Sequence, residues 1–202
     1  MNRRQLAALF VCNLVPYITG NSLLGLLPIY VARLGADEIL AGIYLSLSFG
    51  ALAVGALISG WLSNRFQRRK LMIIMAGCLS LPATFLMGQV NSLVLLTVFT
   101  MTVWFAGGVI TGMVNILTGM YADAKSRGRI FGIIGLTGGL AQIIGGSASG
   151  AIVDHWGYVA LFTAVSLVYI AQIVAGLFLE DTRIDLFPGS QHIKTNRFHL
   201  IE

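Results

Sequence analysis

The chain has 202 residues, of which 56% are hydrophobic and only 10% charged, and its mean hydropathy is +0.83. An ordinary soluble domain carries roughly 25% charged residues, so this chain cannot cover an aqueous surface and reads as an integral membrane protein. The net charge of +5 does not point to nucleic acid, because the basic residues lie in short gaps between apolar runs and form no solvated basic face.

A helix that crosses a bilayer requires about 20 mostly apolar residues. In chain order, six segments meet that length: 6–32, 39–62, 71–88, 93–121, 130–153 and 158–179. The first follows Arg3 and Arg4 in the manner of a signal peptide. It is too long for a signal-peptide apolar region and has no clear small-x-small cleavage site, so it is expected to remain as a span. The gaps are polar and short: "RLGADE", "SNRFQRRK", "GQVNS", "ADAKSRGR" and "DHWG". Beyond Leu179 the sequence turns polar, which predicts a helical membrane domain over 5–180 and a polar tail over 181–202.

Orientation follows from the basic residues. With both termini cytoplasmic, all of the 13 Lys and Arg residues except Arg33 lie inside, the bias of the positive-inside rule, and a plasma (inner) membrane location is expected. No disulfide framework or zinc spacing follows from Cys12, Cys78 and the scattered His155, His192 and His199, so no cofactor or metal is expected. Nothing in the chain resembles a nucleophile–base set or a phosphate loop, and an enzyme is not expected.

Sliding the chain by 90 residues lays 40–66 over 130–156 without a gap. Gly42 then meets Gly132, Ile43 meets Ile133, Ala51 meets Ala141, Gly55 meets Gly145, Ser59 meets Ser149 and Gly60 meets Gly150. Spans 1–3 and 4–6 therefore read as two copies of one unit. Three helices separate the copies, so equivalent loops fall on opposite sides of the membrane and the repeat is inverted. Within it, Ala51, Gly55, Ser59 and Ser63 form a row spaced by four, repeated as Ala141, Gly145 and Ser149. Such rows let helix backbones approach closely, either inside the bundle or against a partner.

None of the six segments contains Asp, Glu, Lys, Arg or His, the residues that usually mark ion or proton pathways. Neutral polar groups recur at helical spacing instead. Asn13, Tyr17 and Asn21 stand at i, i+4 and i+8 in the first span, beside Pro16 and Pro28; Trp104, Thr111 and Asn115 share a face of the fourth, and Gln142 lies in the fifth. The bland reading is that the amides bond across neighbouring helices.

The stretch "GWLSNRFQRRK" over 60–70, between the second and third spans of a three-plus-three inverted repeat, resembles the N-terminal half of a major facilitator superfamily transporter. Gly60, Leu62, Ser63, Arg65, Arg68 and Arg69 match the family's loop signature, while Asn64 stands for its aspartate and Gln67 for its second glycine. In "WFAGGVITGM", Gly108 and Gly112 keep the family's RxxxGxxxG spacing, with Trp104 in the arginine's place, and the fifth span has the glycines but not the proline of drug/proton antiporters.

The resemblance implies an all-α half of six helices that moves a small organic solute by alternating access. It implies that Asn13, Tyr17, Asn21, Trp104, Thr111, Asn115 and Gln142 contact substrate, and that Gly60, Asn64, Arg65, Arg68 and Arg69 form a gating loop. Ala51, Gly55, Ser59, Ala141, Gly145 and Ser149 would face a second six-helix half, as homodimer or split partner, with lipid around the rest. The uncharged candidates favour efflux of lipophilic or drug-like compounds over sugar or metabolite uptake. A truncated or accessory protein that binds a partner half without transporting is the alternative.

Overall fold

Helix starts and stops follow from a few local signals. The computed structural model describes residues 2–181. Asn2 opens α1 (Arg3–Leu24), its side-chain oxygen accepting from the Arg4 N–H, which satisfies one of the amides a helix start leaves without a partner. The chain then turns through Gly25 and Leu26 into α2 (Leu27–Arg33), which has Pro28 in its first turn. Gly35, at φ +89°, allows the reversal that follows. Asp37 caps α3 (Glu38–Phe66) by accepting from Leu40 N–H at 2.8 Å. Next come α4 (Arg69–Met87), α5 (Leu93–Tyr121) and α6 (Arg127–Leu177).

Five of these helices, all but α2, are long and apolar enough to cross a membrane. The first expected span is broken at Gly25–Leu26 instead of running unbroken over 6–32, and the fifth and sixth join as the 51-residue α6. That helix is interrupted at Gly157, whose φ of 79° and ψ of 177° only glycine adopts without strain. Adjacent residues of α1 show what the interruption does. Cys12 Sγ donates to Gln172 O at 3.7 Å and Asn13 Nδ2 donates to Thr137 Oγ1 at 2.8 Å. On a straight helix, residues 137 and 172 would lie roughly 50 Å apart, at about 1.5 Å per residue. Hence α6 folds back at Gly157 into two arms, at the expected "DHWG" gap. Each arm has the ~20 residues that a crossing requires.

Helix α5 is the most enclosed element, burying Val103, Trp104, Ile110, Met113 and Leu117. It packs on α3 and α4, while α1 packs mainly on α6. Tyr30 of α2 packs tilted against Tyr158 and edge-on against Phe162 of the second α6 arm, with ring centroids 4.7 and 5.3 Å away. Apolar side chains such as Ile39, Leu57, Trp61, Met75, Val94 and Ile143 point outward, as a lipid-facing surface requires. Of the polar tail expected over 181–202, only Asp181 is among the described residues; 182–202 lie outside them, as does Met1.

Candidate functional site

One cavity, open on one side and about 220 Å³ in volume, lies between α1, α3, α5 and the second arm of α6. Four of the sequence-selected residues, Tyr17, Asn21, Trp104 and Thr111, line it. Its apolar walls come from Pro16, Leu24, Phe49, Leu52 and Val103. Pro16 removes one backbone N–H from the interior of α1 and fixes φ there, which favours a bend at the level of the cavity. Trp104 is 6% exposed and forms part of the wall. The Thr111 hydroxyl donates back to Gly107 O at 3.0 Å, the usual resting place of a hydroxyl inside an apolar helix. Among the described residues that line this cavity, none is Asp, Glu, Lys, Arg or His.

The other sequence-selected polar residues are placed differently. Asn13 is buried and bonds α1 to Thr137 of α6, outside the cavity lining. Asn115 is exposed and Gln142 lines a separate cleft, shared with Asn21, Ser149 and Gly150. Two further polar residues line the cavity, Thr19 and Tyr169. Thr19 falls two positions from Tyr17, off the four-residue stripe, and Tyr169 belongs to the sixth span, apart from the polar faces of the first, fourth and fifth.

The small-residue rows are used inside the bundle. Gly55 lies against the Phe105 backbone and Gly108 against Leu52 and Ala56, while Gly112 abuts Ser59, so α3 and α5 meet almost backbone to backbone. Gly145 lies against Ile18 and Ser22 of α1. Ser59, Ala141 and Ser149 are buried, and Ala51 is half-buried. Gly55 and Gly145 thus make close approaches within this chain, the in-bundle use that the sequence left open beside a second half.

The basic turn after α3 is also sharper than expected. Helix α3 continues past Gly60, Asn64 and Arg65 to Phe66 and is stopped by Gln67, the one non-glycine residue with positive φ among those described (φ 50°, ψ 25°). That is the position where the family signature has glycine, and the left-handed conformation gives the physical reason. Asn64, Arg65 and Arg68 are exposed, but Arg69 is 6% exposed. Its Nε donates to Ser63 Oγ at 2.6 Å, and its guanidinium lies 3.7 Å from the Asp181 carboxylate. The same carboxylate accepts from the Lys70 backbone N–H at 3.1 Å. Gln5 exchanges two hydrogen bonds with the Glu180 backbone, whose carbonyl also accepts from Tyr121. The start of α1, the α3–α4 turn and the ends of α5 and α6 are thus tied together at one end of the bundle.

The Major Facilitator Superfamily model matches residues 9–197. An MFS-type transporter of Aspergillus fumigatus is 24% identical over 141 residues, which are 69% of this chain and 32% of that relative; the chain thus spans about a third of the relative's length. With apolar helices of crossing length around an uncharged internal cavity, and with the family model matching nearly end to end, this chain belongs to the major facilitator superfamily of membrane transporters.

Proposed function

We propose that the chain is the N-terminal half of an alternating-access transporter whose cavity between α1, α3, α5 and α6 binds a small, neutral, lipophilic solute for export. The observation that carries this reading is the lining. Apolar and aromatic walls with a few polar groups are the usual make-up of a ligand site, and here the walls hold no ionisable group except tyrosine. Tyr17, Asn21 and Thr111 offer hydrogen bonds and Trp104 a stacking face, while a sugar would need more partners than this wall has. Gln142 extends the contact surface through the adjoining cleft.

The six crossings form two inverted three-helix units with both termini cytoplasmic, over a membrane domain of 5–180. Two observations support this arrangement. Gly55 approaches the first helix of the second unit, and its counterpart Gly145 approaches the first helix of the first. The start of α1 also meets the end of α6 at the basic end. A second six-helix half completes the pathway.

Reconstitution into proteoliposomes tests the proposal, with the chain alone and with a second half, using a neutral lipophilic dye and a monosaccharide as probes. Saturable dye flux that Trp104→Ala reduces at least tenfold is expected. Preference for the sugar would overturn the substrate class. Dye binding without flux in every combination would favour the accessory, non-transporting reading.

A further inference from the structure

Two glycines of the cavity wall are required neither by packing nor by backbone geometry. Glycine inside an α-helix weakens it relative to alanine, so each one there calls for a reason. On α5, Gly108 and Gly112 have one, since a Cβ at either would overlap Leu52 O or Ser59 Oγ. Their neighbour Gly107 has no such contact. A Cβ there would meet nothing closer than Pro16 Cβ at 3.8 Å and Leu52 Cδ1 at 3.9 Å, ordinary distances to two other wall residues. On α1, a Cβ at Gly20 would meet nothing within 4 Å. Neither glycine is among those with positive φ. Both line the cavity, and each stands midway along its helix's share of the wall, Gly20 between Pro16 and Leu24 and Gly107 between Val103 and Thr111. At about 100° per residue, both also fall inside the arc that their wall neighbours cover.

We propose that Gly20 and Gly107 are specificity-determining positions: the side chains they lack leave the space that admits a second fused ring of a flat aromatic solute. This rests on reading the cavity as the solute site. An apolar cavity of about 150 Å³ accommodates benzene, and about 220 Å³ leaves room for one ring more. Trp104, on the same wall of α5 as Gly107, supplies ring surface, and ring-on-ring contact favours a flat solute over a bulky one. A side chain added at either glycine takes its volume from the cavity, so it excludes the second ring before it excludes the first.

The test uses the full chain in lipid nanodiscs, with phenol and 2-naphthol as probes that share one hydroxyl and differ by one ring. Equilibrium dialysis is the readout, with empty nanodiscs to correct for partition into lipid. Gly20→Leu is expected to weaken 2-naphthol binding at least tenfold and Gly107→Ala at least threefold, the scale of excess volume in a filled pocket. Phenol binding should stay within about twofold in both. Unfolding midpoints should equal or exceed that of the unmodified chain, whereas Gly108→Ala, at a packing glycine, lowers it. Gly20→Ala takes the place of Gly20→Leu if the larger residue prevents assembly. A lowered midpoint for Gly107→Ala, equal losses for the two probes, unchanged 2-naphthol affinity, or no saturable 2-naphthol binding to the unmodified chain each overturns the assignment. A ring-selective loss without dye flux in any combination of halves keeps the assignment and overturns the transport reading; dye flux with no ring-selective loss does the opposite.

Discussion

The α3–α5 pair and the pair formed by α1 with the first arm of α6 each contain one of two glycines 90 residues apart, Gly55 and Gly145, yet they are built differently. In α3–α5, glycines on both helices remove side chains from the contact, and carbonyls of one backbone lie against the other. In α1–α6 only Gly145 makes such an approach, and the contact also contains the Asn13–Thr137 hydrogen bond. Without a hydrophobic drive between helices in lipid, close packing and interhelical hydrogen bonds are the two means of association. Both pairs use both, in different proportion: α3–α5 adds the Tyr44–Thr100 hydrogen bond at 2.7 Å to several close glycines, while α1–α6 joins the Asn13–Thr137 bond to one.

Substitutions that act on one pair alone sharpen this contrast. The largest effect is expected for Gly108→Ala, because a Cβ there overlaps the Leu52 carbonyl oxygen and stands 2.8 Å from Ala56 N. Backbone cannot step aside as a side chain can, so about 3 kcal/mol should be lost, read as a drop in unfolding midpoint in detergent. Gly145→Ala meets Ser22 Oγ at 2.8 Å and Ile18 O at 3.0 Å. The serine can rotate away, and about half that cost is expected. An equal cost at the two glycines would remove the distinction between the pairs.

Asn13→Leu deletes the polar link and should cost about 1 kcal/mol, in the range measured for interhelical hydrogen bonds in membranes. Because Asn13 is outside the cavity, probe affinity should not change; a change would return it to the solute site. Smallest, and opposite in sign, is Gln67→Gly. It relieves a left-handed φ and should raise stability by about 0.5–1 kcal/mol in the same unfolding assay. No gain would mean that the Gln67 side chain compensates for its backbone.

The sequence made the crossing helices legible because burial in lipid leaves a long uninterrupted apolar run, and the gaps between runs are polar. The break at Gly25–Leu26 was not legible, since apolar residues flank it on both sides. Small-residue rows indicate that something approaches closely, but helical periodicity does not say which neighbour does so. That is why the rows of Gly55 and Gly145 read equally as bundle or partner faces, while these two glycines lie against helices of this chain.

The polar stripe of α1 divides for a geometric reason. Each four-residue step turns about 40° beyond a full circle, so Asn13 and Asn21 differ by about 80° and face α6 and the cavity respectively. At the basic end, the sequence marked Arg69 as part of a cluster. Its separation from exposed Arg65 and Arg68 depends on Asp181, more than a hundred residues away in the chain, which no local pattern connects to it.

The reversal at Gly157 bears on how the protein is made. The two arms of α6 are joined by almost no polar chain, with Asp154, His155 and Trp156 exposed just before the glycine. Arms so tightly joined are expected to enter the membrane as one helical hairpin, which dehydrates one small polar cap, Asp154 and His155, instead of a loop. A residue with a side chain at this position would therefore act on biogenesis, lowering the amount of inserted protein, before it acted on the folded molecule.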